Sequence, residues 1–393
     1  MRRFRRQLPA LLLLLPAVLL AQRPLGDEIL VNGPARQAGE PRLATSSAGE
    51  FVITWVAEGE FGAELVYARR YGADGRPLTG QVLVTRDLGR AGKQAVAMLA
   101  DGSFAVAFTD RGTGEESILK ARWYSAAGAL QGQTVVTREL VTWVEMSSRE
   151  DGRLALAWAS SAQSSPSSVR ARVFGPDRAP LGPEIVVDPF GAEPAVALGP
   201  AGEVVVAWLH GIFPPPPGGP SDRPHVAVRR FNPDGTPAGR AVAVSPPYES
   251  GPLTIQVGKD DGGDFLVVWV GNFSAGEGTF LQRYTAGGAP LGRTVRLDLD
   301  ARSLAVGPRG NFVLASTESS IAEGRRVSRI FARRFAADGL PLGPEVPVSS
   351  DISAERFLGQ VGITAAGGFV VTWSSDQREE FVGDVYVRRF RRK

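Results

Sequence analysis

A repeated stretch near the C-terminus decides the fold of this chain: residues 367–373 read GGFVVTW and residues 384–390 read DVYVRRF. Degenerate copies recur upstream, and the aromatic residue that ends each RRF-like element occurs seven times, at intervals of 50 to 57 residues. These aromatics are Tyr71, Tyr124, Phe174, Phe231, Tyr284, Phe335 and Phe390. Self-similarity at this period predicts seven copies of one supersecondary unit.

Each unit divides into four short runs that are rich in Val, Phe, Tyr and Trp and bounded by Asp-Gly or Gly-Pro turns, which is typical of β-strands. The second run, such as FVITW ending at Trp55, is apolar on both faces of the pleat and must be covered on both sides. The sixth unit departs from the pattern, with Ser316 where the aromatic is expected. Four-stranded sheets packed face to face around an axis provide this cover, so we predict an all-β, seven-bladed β-propeller.

The two ends of the repeat array predict how the ring closes. The seventh unit stops at Phe390 and lacks its fourth strand, which elsewhere reads PLGPEVPVS or PLGPEIVVD. A matching segment, PLGDEILVN, occupies residues 24–32. We predict that the strand between Asp27 and Asn32 completes the last blade, because this pairing leaves no open edge between the first and last blades.

A targeting segment precedes the repeats. Four arginines within residues 2–6 are followed by an apolar run at residues 8–21, which is too short to span a membrane comfortably and is typical of a signal peptide. We predict a signal over residues 1–21 and a single propeller domain over residues 22–393, exported to the periplasm or beyond the cell. An uncleaved anchor is the alternative, because Leu19 occupies a position where cleavage sites carry a small residue.

Composition narrows the classes of function. The chain has 44 basic and 41 acidic residues, and removal of the signal leaves 40 and 41, so the domain lacks the basic excess expected of a nucleic-acid-binding protein. The absence of cysteine excludes disulfides, thiolate catalysis and thiolate metal sites. No phosphate loop and no zinc-protease motif occurs, and we expect no cofactor. We also expect no membrane span after signal cleavage.

The two faces of the predicted disc differ. Turns between strands one and two, and between three and four, are short and built on pairs such as Asp101-Gly102, which favours structural turns over calcium sites. The opposite face carries loops of variable length between strands two and three and between blades. Variable loops on a rigid frame are where binding usually resides, so we place the site on this face, near the axis.

The most unusual loop lies in the fourth unit, at residues 211–224, where four consecutive prolines favour a stiff segment that could present Phe213 to a partner. A tolerated insertion is the simpler interpretation. The only two histidines, His210 and His225, flank this loop, with Asp222 nearby. These four residues are weak candidates for ligand binding. A minimal metal site is conceivable there, but a chance pair at two strand ends is favoured, because no further histidine completes a shell.

Two other repeated residues are interpreted as structural. An arginine lies two residues before each RRF-type aromatic, except in the fifth unit, where Gln282 replaces it. We expect these side chains to pair with a carboxylate or carbonyl of an adjacent strand. The repeated tryptophans are expected in the core.

The motifs GGFVVTW…VYVRRF and ADGxPLGxEVxV make the chain similar to bacterial secreted proteins with "DGGFVVTW" blade repeats, many of them adhesin- or hemolysin-like. The resemblance covers nearly all of residues 24–390. It implies an exported bacterial propeller in a family of mostly uncharacterised function, and it implies nothing about the ligand.

Two hypotheses of function follow. The first is a non-enzymatic binding or scaffold propeller, with a glycan or protein ligand on the variable-loop face, because no catalytic constellation is recognisable. The alternative is a polysaccharide hydrolase or lyase, since such enzymes need only a pair of carboxylates. The candidate carboxylates are Asp222, Glu277, Glu318 and Asp376.

Overall fold

A computed structural model describes residues 23–33, 37–59, 63–85, 90–111, 117–161, 167–211, 223–274, 276–322, 325–350, 354–376 and 383–392. These residues form 28 β-strands and no helix. The strands make seven four-stranded antiparallel sheets. The predicted seven-bladed propeller is therefore confirmed. Within the described ranges no helix is long and apolar enough to cross a membrane.

The strands follow the chain blade by blade, from the axis outward. Blade 1 contains β2 (Ala38–Thr45), β3 (Phe51–Glu58), β4 (Glu64–Tyr71) and β5 (Val82–Leu83). Blade 2 contains β6 (Arg90–Met98), β7 (Phe104–Arg111), β8 (Ser117–Tyr124) and β9 (Leu130–Thr137). Blade 3 contains β10 (Leu140–Ser148), β11 (Leu154–Ser161), β12 (Ser168–Phe174) and β13 (Ile185–Asp188).

The second half of the ring repeats this order. Blade 4 contains β14 (Gly191–Leu198), β15 (Val204–His210), β16 (His225–Phe231) and β17 (Val242–Ala243). Blade 5 contains β18 (Tyr248–Lys259), β19 (Phe265–Phe273), β20 (Gly276–Tyr284) and β21 (Pro290–Leu297). Blade 6 contains β22 (Ala301–Val306), β23 (Phe312–Ala322), β24 (Arg325–Phe335) and β25 (Val346–Pro347). Blade 7 contains β26 (Glu355–Ile363), β27 (Phe369–Asp376), β28 (Gly383–Phe390) and β1 (Ile29–Leu30).

The N-terminal strand closes the ring, as predicted. β1 pairs antiparallel with β28, with Ile29 opposite Val387. The paired segment is shorter than the predicted strand. Beyond it, a side chain replaces the backbone pairing: Asn32 Oδ1 accepts a hydrogen bond from the backbone N–H of Val385 at 2.8 Å. Seven hydrophobic clusters, one at each junction between neighbouring blades, continue the core around the whole ring.

Two aromatic residues of the repeat pack against each other within a blade. The aromatic that starts the second strand stacks on the aromatic that ends the third strand, as in Phe369 and Phe390, whose ring centroids lie 4.6 Å apart. The same pair recurs in blades 1, 2, 5 and 6. Stacked pairs of this kind stabilise a sheet beyond the area they bury, which explains why GGF and RRF recur together.

The repeated arginines bind carbonyl groups, as expected. Arg229 Nε and Arg333 Nε donate to Gly239 O at 3.0 Å and Gly343 O at 3.1 Å, both in the segment leading to the fourth strand of the same blade. Arg388 Nη1 instead donates to Val348 O of the preceding blade at 2.9 Å. These side chains therefore tie the outer strands to one another rather than forming an anion site at the axis.

Arg122 is expected to contribute the most among these arginines. It is 6% exposed, donates to Val84 O in blade 1 and to Gln133 Oε1, and lies over the ring of Phe108. Arg122→Ala would leave a buried carbonyl without its donor, and we expect it to lower the free energy of unfolding by about 2–4 kcal/mol. Arg229→Ala, which removes a more exposed contact, should cost less than about 1 kcal/mol. Equal losses in denaturant titrations would contradict this.

The Asp-Gly turns are structural. In five of them, and in the Asp177-Arg178 turn, an aspartate carboxylate accepts a hydrogen bond from the backbone N–H two residues later, as Asp101 Oδ1 does from Ser103 at 2.9 Å. The following residue in that turn, Gly102, has φ of +78°, a conformation that favours glycine.

Candidate ligand-binding site

The seven innermost strands share an irregularity on the variable-loop face. In every one of them the pairing with the second strand shifts register near its first end, at positions such as Gly39/Arg42 in β2 and Ala192/Ala195 in β14. Bulges of this kind turn side chains away from the ladder.

Two of these bulges contain the same Glu-Pro pair in a strained conformation. Glu40 has φ of +49° and Glu193 has φ of +50°, and each is followed by a proline. A left-handed conformation of a residue other than glycine costs about 1–3 kcal/mol and is concentrated at functional sites. Glu40 is exposed, whereas Glu193 is partly buried, and burial raises the pKa of Glu193 to about 7.

A pocket of about 880 Å³ opens on the variable-loop face beside the axis, at the junction of blades 7 and 1. Its wall includes Lys93 from blade 2 and Trp143 from blade 3, so it reaches across the channel mouth. The pocket therefore lies on the same face, and as near the axis, as the site that we predicted from the sequence.

Two aromatic residues that are not buried, Trp143 and Phe357, line this pocket. All seven tryptophans are described, and Trp143 alone among them is not buried. Phe357 is 55% exposed and is the only exposed phenylalanine among those that the structure describes. The one tryptophan that is not buried and the one exposed phenylalanine of the described residues therefore line the same pocket.

The pocket is acidic. Its lining includes two pairs of carboxylate residues that are directly opposed on neighbouring strands. These are Glu58 with Glu64 in blade 1, and Glu355 with Asp376 in blade 7. Among the described lining residues, Glu40 adds a fifth carboxylate, and Arg42 and Lys93 are the cationic side chains. Like charges directly opposed across strands are destabilising, so this arrangement has a cost that a binding role would explain.

An ion pair forms the floor of the pocket. Arg42 Nη1 of blade 1 lies 3.6 Å from Glu145 Oε1 of blade 3, so the contact crosses the channel past blade 2. Burial raises the pKa of Glu145, and the Arg42 charge opposes that shift. Below the pair, a second cavity of about 290 Å³ is lined by all seven inner strands. Arg149 and Asp261, 2.8 Å apart, form another cross-channel contact between blades 3 and 5.

The candidate residues of blade 4 form a separate cluster. His210 and His225 are directly opposed on β15 and β16, with ring centroids 5.0 Å apart. His210 Nδ1 lies 2.5 Å from Asp188 Oδ2, a contact that the repeat pattern does not predict. Phe213 and Asp222 lie outside the described residues.

The predicted catalytic carboxylates do not come together. Asp376 lines the pocket, Glu277 and Glu318 lie on blades 5 and 6 outside its lining, and Asp222 is not described. Trp143 and Phe357 carry one signal in the sequence: aromatic residues are rare in the first strand of a unit. Among the described first strands, only those of blades 3, 5 and 7 contain one.

No protein-family model and no curated protein sequence matches this chain. Solved structures of similar fold exist, each 10% identical in sequence. A protein of unknown function from Dyadobacter fermentans has a TM-score of 0.50, with 94% of this chain and 99% of that chain covered. The β-propeller domain of the Trilobed protease from Pyrococcus furiosus has a TM-score of 0.53, with coverages of 90% and 95%.

The polysaccharide lyase Uly1 is similar to the same extent, with a TM-score of 0.51 and coverages of 88% of this chain and 90% of that chain. At 10% identity these similarities support the propeller fold alone. The class of this protein is therefore a seven-bladed β-propeller with an acidic, aromatic-lined pocket on its variable-loop face.

Proposed function

We propose that this chain is an exported binding propeller whose ligand is a neutral glycan held in the pocket between blades 7 and 1. The observation that carries the proposal is that a partly buried tryptophan, Trp143, and an exposed phenylalanine, Phe357, line the same pocket. The C–H face of a sugar ring packs on an aromatic face, while carboxylates accept hydrogen bonds from its hydroxyl groups.

The charge of the pocket favours a neutral or amino sugar over an acidic one. Among the described lining residues five carboxylates face two cationic side chains; Arg42 is paired with Glu145, and Glu355 lies 3.7 Å from Arg326, so the excess of negative charge remains. A uronate or sulfated polymer would bring further negative charge into this region, and like-charge contacts weaken association. We therefore expect neutral polysaccharides to bind and polyuronates to be rejected.

The decisive test is binding of the purified chain to immobilised neutral glycans, such as glucans, mannans, galactans and chitin, beside pectate and alginate. Phe357→Ala and Trp143→Ala should each weaken binding of the retained glycan at least 10-fold, because each removes a stacking surface at the centre of the pocket. Ile321→Ala, which removes an apolar side chain 80% exposed on blade 6, is the matched control and should bind normally. Retention of pectate alone, or unchanged binding by both aromatic variants, would overturn the proposal.

Hydrolysis of the glycan is the second candidate, and the opposed pair Glu355 and Asp376 favours it. Directly opposed residues place their Cβ atoms about 4.5–5.5 Å apart, and a retaining glycosidase holds its two carboxyl groups at a similar separation of about 5–5.5 Å. Release of new reducing ends by the purified chain, lost in both Glu355→Gln and Asp376→Asn, would establish this activity. Binding without shortened products would leave the binding function.

A further inference from the structure

The histidine pair of blade 4 has the separation expected of two ligands of one metal ion. His210 and His225 are cross-strand partners, and their ring centroids are 5.0 Å apart with the ring planes inclined at 53°. Two imidazoles that bind one tetrahedral ion with nitrogen–metal distances of about 2.0–2.1 Å have ring centres about 5 Å apart. The backbone therefore already holds the rings at a metal-binding separation.

Hydrogen bonds at one nitrogen leave the other nitrogen of each ring available. His210 Nδ1 contacts Asp188 Oδ2 at 2.5 Å, and His225 Nδ1 contacts the carbonyl oxygen of Arg223 at 2.9 Å. Because an ionised carboxylate and a carbonyl only accept, both Nδ1 atoms carry the hydrogen. The Nε2 atom of each neutral ring then has a free lone pair, which is the form that binds metals.

Asp188 departs from the repeat in a way that supports the pair. At the same position of other blades, Asn32, Thr85, Ser245 and Ser349 accept a hydrogen bond from a backbone N–H of the third strand of their blade, five residues before its terminal aromatic. Asp188 reaches into the next blade instead. Its carboxylate is 4% exposed and also accepts bonds from Trp208 Nε1 at 2.6 Å and from the backbone N–H of Phe190 at 2.8 Å.

Two of the corresponding tryptophans lack such a network. Trp158 and Trp269 occupy the position of Trp208 in their own blades, and the indole nitrogen of each is buried without a hydrogen-bond partner. A buried carboxylate that fixes the tautomer and orientation of a histidine is the usual partner of a metal-binding imidazole.

We propose that His210 and His225 bind one divalent transition-metal ion of the kind that prefers imidazole, such as Zn²⁺ or Cu²⁺, and that Asp188 positions His210 for it. Among the described residues no group of three or more histidine or acidic side chains is placed to hold a metal. We expect water or an external ligand to complete the coordination of the ion.

The test is titration of tag-free, chelator-treated protein with Cu²⁺, followed by electron paramagnetic resonance. Because the chain has only two histidines, couplings from two imidazole nitrogens identify this site, and a carboxylate site elsewhere would show none. We expect one ion per chain with two such couplings. His225→Gln should leave one coupling and weaken binding at least 10-fold, and Zn²⁺ titrated by calorimetry should show the same loss.

Asp188 is tested as a positioning residue. Asp188→Asn should weaken Cu²⁺ binding about 10–100-fold while both nitrogen couplings remain, because the ligands stay but lose their oriented partner. Asp177→Asn, a turn carboxylate of blade 3, is the control and should change nothing. Absence of imidazole couplings in the wild-type protein, or equal affinity in His225→Gln, would overturn the proposal. Circular dichroism verifies that each variant is folded.

Discussion

Deletion of residues 23–32 is expected to lower the unfolding midpoint by more than 10 °C or to leave the chain aggregated. This segment supplies the fourth strand of blade 7, so its loss exposes the edge of β28 to other chains. It also removes Val31, which is fully buried in the cluster between blades 7 and 1. We expect a loss of at least about 5 kcal/mol, well beyond that of an ordinary substitution.

Milder variants of the same strand test the prediction even where the deletion does not fold. Val31→Ala removes buried methyl groups and is expected to cost about 2 kcal/mol in denaturant unfolding. Leu30→Ala is the matched control, because Leu30 points outward and is 41% exposed, and its change should stay within about 0.5 kcal/mol. If the deletion variant unfolded at the wild-type midpoint, the closing strand would contribute nothing to stability.

Glu193→Gln is expected to stabilise the protein at pH 8 by about 2–3 kcal/mol and to leave it unchanged near pH 4. Burial raises the pKa of Glu193 to about 7 in the folded state, from 4.5. The unfolded chain therefore gives up this proton more readily than the folded chain does. Each pKa unit of difference corresponds to about 1.4 kcal/mol, so the ionised carboxylate is a substantial cost to the fold.

The pH dependence follows from the direction of that shift. Between about pH 4.5 and pH 7 the folded state binds more protons than the unfolded state, so the free energy of unfolding falls as pH rises and is then constant. Glu193→Gln removes this fall in the free energy of unfolding. The curves of unfolding free energy against pH for the wild type and the variant should therefore separate between about pH 4.5 and pH 7. The positive φ remains in the variant, so the difference reports the charge alone.

Glu40→Gln is the matched control for Glu193. It has the same bulge and nearly the same φ, but its side chain is exposed, so its substitution should not alter the pH dependence. Chemical unfolding of the three proteins from pH 4 to pH 8 measures the effect. A pH dependence of Glu193→Gln identical to that of the wild type would refute the assignment of this carboxylate.

The repeat contained nearly all the information about the fold. Strand alternation, Asp-Gly turns and the apolar second strand are local properties, so they can be read within each unit of about 50 residues. Closure by the N-terminal segment was also predictable, because the last unit lacks a strand that the first residues match. The ends of the strands are harder to predict than their number. β2 begins at Ala38 because a bulge extends the strand beyond the regular alternation.

For the candidate binding pocket, the sequence indicated only the face of the propeller on which it lies. The sequence drew attention to the blade 4 loop, whereas the pocket lies between blades 7 and 1 and includes only Asp376 of the proposed residues. His210 and His225 lie directly opposite each other, but the partner that orients His210 comes from blade 3 and has no signature in sequence.

The order of residues alone therefore determined seven blades, their turns and the closure of the ring, because each follows from a pattern within one unit or between its two ends. Only the tertiary structure decided which side chains share a pocket. Trp143 and Phe357 lie far apart in the chain, and they line one cavity because the ring places the inner strands of blades 3 and 7 around the same channel mouth. Their exposure depends on packing between blades, which a single repeat cannot encode.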